Sequence, residues 1–216
     1  MPSIEMVLLL AETLDVPLRD RNELLRSAGF DTRYPEPAID DLLDGPLGDV
    51  VETMMAHHEP FPMMLVDRLY NVVRVNGGGR AFLGTAGIVD PDGVNLLRRL
   101  FDQPMRDLIV NWDEVAGDAL RRLQRDSLQR PNDDAMSDLL SQLLDAPNVP
   151  DHWRNPDLLK STEPMVTLRT TVGETELAFL ATITTFSAPS NVTLDELQIE
   201  SYLPIDDATR HFFEAL

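Results

Sequence analysis

The chain has 216 residues, 43% of them hydrophobic, enough for a substantial core, and carries a formal charge of −19, so as it stands it repels phosphate backbones and is not expected to bind DNA by itself. The absence of cysteine excludes disulfides, thiolate metal sites and cysteine nucleophiles together, and fits a reducing compartment. The longest apolar runs, such as Met6 to Ala11 and Phe61 to Val66, fall far short of the roughly 20 residues that cross a bilayer, and no basic, apolar leader opens the chain, so a cytoplasmic protein without a membrane partner is expected.

From the N-terminus, Val7, Leu10, Ala11 and Leu14 recur on one helical face behind Ser3 as a cap, with Met6 where a capping box has glutamate. Asp15-Val16-Pro17 interrupts that helix, and a second is predicted from Pro17 through Leu18, Leu24, Leu25 and Ala28 to a stop at Gly29. The stretch DTRYPEPAIDD, with Pro35 and Pro37, reads as an extended connector, dividing the chain into 1–34 and 35–216. Helix is expected again over 46–58, on Leu47, Val50, Val51, Met54 and Met55.

Phe61 to Asp67 and Tyr70 to Val75 are rich in strand formers, and the Asp67-Arg68-Leu69 corner predicts a hairpin. Asn76 follows as the cap of a helix through Arg80, Ala81, Phe82 and Leu83. The glycines at 77–79 raise the question of a nucleotide site. A dinucleotide fingerprint fails because its third glycine position is Phe82, and a P-loop fails because Thr85-Ala86 follows Gly84 with no lysine. The glycines read instead as a sharp turn away from the strand.

Residues 95–128 read as helical, with a break at Asp102-Gln103-Pro104 and then a long amphipathic stretch carrying Leu108, Trp112, Val115, Ala116, Ala119 and Leu123. Asn111 and Glu114 stand at capping-box spacing, so this stretch is one helix or two. Arg98, Arg99, Arg121, Arg122 and Arg125 lie among acidic residues and read as a solvated face. After a helix at 133–145 and a proline-studded loop, MVTLRTTVGETELAFLATITTF alternates around a Gly173 turn and ELQIESYLP supplies a further strand. Between them Thr193 and Glu196 form the capping pair of a one-turn helix, and the Asn191-Val192-Thr193 sequon reads as chance. The class is α+β: an antiparallel sheet of two early and about three late strands with a helical insert, preceded by two short helices.

His57 and His58 are adjacent and point about 100° apart on a helix, and His152 and His211 are distant in sequence, so no metal site is expected. No serine lies in a nucleophile elbow and the carboxylates are too scattered to nominate an acid-base pair, so no catalytic residue is named.

The order strand, aspartate corner, strand, asparagine, helix over Phe61 to Gly84 resembles the opening of a PAS-type sensor fold. Taken together, MVLLLAETLDVPLRDRNELLRSAGF, HEPFPMMLVDRLYNVVRVN and FLATITTFSAPSNVTLDELQIESYLPIDDAT resemble the MmyB-like family of actinobacterial transcription regulators, in the family's order and over nearly the whole chain. The resemblance implies an XRE-type helix-turn-helix joined to a PAS-like ligand-binding domain. Residues 1–34 would be only the last two helices of the former, with the major-groove helix upstream of Met1; either the sequence is truncated or the chain is a sensor without its reader. It also implies a fatty-acid-like ligand, no other cofactor, and a homodimer that reaches DNA only through residues absent here.

Such a pocket needs an apolar tunnel and a polar or cationic group at its mouth. Candidate walls are Met64, Val66, Val73, Val75, Phe82, Leu83, Leu97, Leu100, Phe101, Leu108 and Trp112, each of which also reads as ordinary core. For the head group the candidate is Arg106, in FDQPMRDLIVNW, which resembles the family's block of Phe, Asp-Pro, Arg and Asn/Asp-Trp with the proline displaced by one. Its alternative is a surface pair with Asp102. Asn76 is a second polar candidate, with a structural role as its alternative. Two other readings stand beside the ligand sensor: a dimerisation module with a self-filled core, and an enzyme on the same scaffold, for which no constellation can be named.

Overall fold

A computed structural model of the chain describes residues 2–147, 149–155 and 167–215. Helices α1 (Ile4–Thr13), α2 (Leu18–Ser27), α3 (Ile39–Leu43) and α4 (Pro46–His58) precede strands β1 (Met63–Val66) and β2 (Val72–Val75). Helices α5 (Gly77–Thr85), α6 (Leu96–Phe101), α7 (Gln103–Leu108), α8 (Trp112–Gln129) and α9 (Asp134–Leu144) follow, then a 3-10 turn at Asp151–Arg154. Strands β3 (Thr167–Val172) and β4 (Thr175–Thr185), helix α10 (Val192–Asp195), strand β5 (Gln198–Pro204) and helix α11 (Asp207–Glu214) complete the described order. The class is α+β with a five-stranded antiparallel sheet, consistent with a PAS-like fold. Met165 and Val166, read as strand, lie outside the described residues.

The chain divides into two compact units, residues 1–53 with 185–197, and residues 54–184 with 198–216. In the first, Ser3 Oγ accepts the amide of Met6 at 3.3 Å and starts α1 as expected. Its buried face is narrower than the periodicity indicated. Val7 and Ala11 are buried, but Leu10 and Leu14 are 56% and 72% exposed, because α1 is apolar nearly all round and spacing cannot choose a side. Prolines 35 and 37 lie inside this unit, where the Pro35 carbonyl accepts the Val192 amide at 2.9 Å and the Pro37 carbonyl accepts the Thr193 hydroxyl at 2.6 Å. Helix α10 is therefore capped by Asn191, whose side chain accepts the Leu194 amide at 2.9 Å, and not by Thr193. Glu196 pairs with Arg19 at 2.7 Å, and Asp195 accepts the Leu18 amide at 3.0 Å.

The second unit holds the sheet, in the order β2-β1-β5-β4-β3. Late strand β5 lies beside early strand β1, with Met64 opposite Glu200 and Leu65 opposite Ile199. The helices between β2 and β3 thus connect the two opposite edge strands of one sheet. Its core joins Val66 and Val72 to Leu97, Phe101, Trp112, Leu120, Phe179 and Phe213. Helices α7 and α8 are separate, because the chain extends at Ile109 and the Val110 amide donates to the Arg169 carbonyl at 2.8 Å. Asn111 caps no amide of α8: its Nδ2 donates to the Thr167 carbonyl at 2.7 Å and its Oδ1 accepts the Arg169 amide at 3.0 Å, tying the corner to β3. Helices α3 and α11 were not legible as periodic segments; α11 starts where Asp206 accepts the Thr209 amide at 2.7 Å.

The glycine-rich stretch has a structural explanation. Asn76 Oδ1 accepts the amides of Gly79 at 2.8 Å and Met63 at 2.9 Å, while its Nδ2 donates to the Phe61 carbonyl at 2.8 Å. The free amides of Gly77 and Gly78 point at the Glu59 carboxylate, at 2.5 and 2.9 Å, so the anion that a helix N-terminus attracts is one of the protein's own side chains. A Cβ on Gly78 would stand 2.1 Å from the Pro60 carbonyl oxygen, which is why a side chain is not tolerated there.

Candidate ligand-binding site

A cavity of about 710 Å³ opens in the second unit, a size typical of small-molecule sites. Its apolar wall takes Met64 from β1, Phe82 and Leu83 from α5, Leu97 and Leu100 from α6, Val115 and Ala119 from α8, and Leu168 and Leu180 from β3 and β4. Set into this wall is a polar cluster of Tyr70, Asp118, Arg122, Asp126, Glu200 and Tyr202, while Arg99, Arg125, Gln129 and Thr182 complete the polar lining.

Local geometry brings the cluster together. Glu200 and Tyr202 are two residues apart on β5 and so share a face of the sheet. Asp118, Arg122 and Asp126 recur every fourth residue along α8, one stripe of that helix. Tyr70 sits at the hairpin corner with φ of 63°, a left-handed conformation held by Asp67, whose carboxylate accepts the amides of Leu69 at 2.8 Å and Asn71 at 2.9 Å.

The electrostatics are those of ionisable groups drawn into an apolar wall. Glu200 keeps some exposure to the cavity, yet burial raises its carboxyl above the usual range, against the hydrogen bond that Tyr202 donates at 2.8 Å and the charge of Arg122. Tyr202 is raised well above its ordinary value by burial and by Glu200. Burial pushes Tyr70 up to about 12, with Glu200 and Asp126 adding to the rise and Arg122 opposing it. The Tyr70 hydroxyl, 3% exposed as a residue, meets no acceptor for its proton among the described residues, while Arg122 stands close enough to act on its oxygen. Burial works against the charge on Arg122, but Tyr70, Glu200 and Asp118, the last at 3.1 Å, together outweigh it and hold the guanidinium firmly protonated. Asp126 is raised by burial despite Arg130, Arg122 and Arg125.

Of the residues nominated from sequence, Met64, Phe82, Leu97 and Leu100 line the cavity, as does Leu83. The others do not. Val66, Phe101 and Trp112 are packed in the core, where Trp112 meets Phe101 edge-on, stacks on Trp153 and donates its Nε1 proton to the Leu100 carbonyl at 2.7 Å. Val73 and Leu108 are half-buried outside the lining, and Asn76 is saturated by the backbone bonds described above. Arg106 lies over the Trp112 ring, 4.0 Å from its centre, with Nη1 buried and unbonded among the described residues. It does not pair with Asp102, which takes Arg99 at 3.1 Å.

The arginine that acts on Glu200 and Tyr70 in the cavity is therefore Arg122, which periodicity assigned to a solvated face; its aliphatic neighbours Val115 and Ala119 turn that stripe of α8 inward. Glu200 and Tyr202 were legible only as an acid and an aromatic on one face of a strand, and the corner Tyr70 left no sequence signal at all. Among the described residues no three His, Asp or Glu side chains are grouped to hold a metal ion, and no helix is long and apolar enough to cross a membrane.

An α+β sheet with a helical insert, enclosing a largely apolar cavity with one polar cluster, defines a small-molecule-binding domain of PAS-like type. Residues 47–216 match the family model of the MmyB-like transcription regulator ligand binding domain, and the chain belongs to that family. No curated protein matches the chain.

Proposed function

We propose that the second unit is a non-catalytic sensor that takes a fatty-acid-like small molecule into the cavity and passes its occupancy to DNA binding in a cytoplasmic, dimeric regulator. The observation that carries this reading is the cavity itself. Space of about 710 Å³ with apolar walls accommodates an alkyl chain, and the polar cluster offers Tyr70 and Arg122 to a head group. A core filled wholly by its own side chains would leave no such space. Regulation requires that ligand favour one packing over another, since a ligand with equal affinity for two states shifts neither.

Native mass spectrometry of freshly purified chain, followed by organic extraction, tests the reading in one preparation. A dimer carrying an adduct of fatty-acid mass supports it. A ligand-free protein whose thermal stability ignores a panel of added fatty acids and fatty alcohols overturns the ligand half and leaves a dimerisation module.

A further inference from the structure

The polar cluster is poorly matched to a second free carboxylate. Arg122, the cation that acts on Glu200, already holds Asp118 at 3.1 Å. Glu200 itself has no ion-pair partner among the described residues, and the hydrogen bond it accepts comes from the neutral Tyr202 hydroxyl at 2.8 Å. Two carboxyl groups brought together in one partly buried site do not both ionise; they hold a single proton between them.

The other groups at this place do not relieve the conflict. Tyr202 is on the same strand as Glu200, Tyr70 faces it from the hairpin corner, and α8 presents Asp118, Arg122, Arg125 and Asp126, where the charge of Arg125 acts on Asp126. From α6, Arg99 lines the same cavity but is held by Asp102 at 3.1 Å. Met64, opposite Glu200 on β1, and the lining residues Phe82, Leu180 and Thr182 are uncharged. Burial outweighs the help that Arg122 and Tyr202 give to the ionised form of Glu200. Meanwhile the Tyr70 hydroxyl is buried in the cavity wall beside Arg122, its proton meets no acceptor among the described residues, and it can donate to an incoming oxygen.

Resting on the reading of this cavity as the ligand site, we propose that a carboxylate ligand binds here together with one proton, held between its own carboxyl group and that of Glu200. The second ligand oxygen accepts the Tyr70 hydroxyl, and Arg122 stays with Asp118. The proton is the one Glu200 already carries where its carboxyl is protonated, and is taken from solvent where it is ionised. The domain thereby recognises the acid form of its ligand, and its affinity for a carboxylate depends on pH while its affinity for a neutral alcohol of the same length does not.

Calorimetric titration of the full chain with decanoate and with decanol, between about pH 5 and about pH 8 and in two buffers of different ionisation enthalpy, measures this directly. The expected result is uptake of about one proton per decanoate and a loss of affinity of about tenfold per pH unit once free Glu200 ionises, with decanol indifferent to pH. Glu200→Gln should keep decanoate binding and flatten its pH dependence; if that variant does not fold, the wild-type buffer comparison decides alone. Decanoate binding without proton uptake at any pH across this range, and without the loss of affinity toward high pH, overturns the proposal, assigns the anion to Arg122, and leaves the ligand reading standing. Failure of both probes to bind overturns the ligand reading and the proton with it.

Discussion

Asn76 shows how one side chain can be placed by its neighbours rather than by a ligand. Its amide ties the start of β1, the end of the preceding loop and the first turn of α5 through three hydrogen bonds of 2.8 to 2.9 Å. Replacing it removes an N-cap and leaves the Met63 amide without its partner. Asn76→Ala is expected to cost about 2 to 3 kcal/mol, read as a lower urea midpoint at unchanged slope. A loss under about 0.5 kcal/mol would mean that water replaces all three bonds. Arg106 makes the opposite point: it was nominated for a head group, and the structure gives it to the Trp112 ring instead. Motif spacing brought the arginine and the tryptophan to one place, but whether that place faces a cavity depends on β3 and α6, which lie far away in sequence.

At the scale of elements, the ends of helices were the most legible features, because capping is decided within four residues. Ser3, Asn76 and the stop at Gly29, which has φ of 83°, all follow local rules. Capping failed as a guide where a tertiary partner took the side chain, as at Thr193, held by Pro37, and at Asn111, held by β3. The N-cap of α9 combines both effects. Asp133 accepts the Met136 amide at 3.1 Å and pairs with Arg68 across the sequence. Burial alone would raise the Asp133 carboxyl, but the hydrogen bonds from Arg68 and Met136 outweigh it and hold it below the usual carboxylate range. A depressed carboxyl stabilises the fold above its unfolded value, near pH 4, and that contribution disappears as pH falls through the folded value. Asp133→Asn keeps a capping oxygen and loses the charge. It should lower stability by about 1 to 2 kcal/mol at neutral pH and converge on wild type as pH falls through the folded value, as read from acid denaturation curves. A constant deficit across that range would mean that packing, not charge, carries the effect.

For the whole molecule the decisive feature is the space left between α5, α6, α8 and the sheet. Filling it should separate ligand binding from folding. Ala119 is on the cavity side of α8, and Ala119→Phe places a ring in existing space instead of in a packed core. The variant is expected to unfold within about 1 kcal/mol of wild type while losing the ligand-induced stabilisation, which for wild type amounts to about 2.7 kcal/mol when ligand is at a hundred times its dissociation constant. Scanning calorimetry with and without decanol reads both quantities. If the variant keeps the full ligand shift, the ligand is held elsewhere.

What the amino-acid sequence determined by itself was local or periodic: the early hairpin, the caps at Ser3 and Asn76, the failure of the glycine stretch as a phosphate cradle, the α+β class, and the resemblance that the family match establishes. Those properties are set by residues within a turn or a strand of one another, or by order along the chain. Only the tertiary structure decided that β5 lies against β1 and so sets Glu200 and Tyr202 opposite α8, that Arg122 faces the cavity instead of water, and that Trp112 and Phe101 fill the core. Hydrophobic spacing states which side of an element avoids water, but it does not distinguish a side chain packed against other side chains from one that borders an interior space. That distinction depends on distances between elements far apart in sequence, and it is where the chemistry of this domain resides.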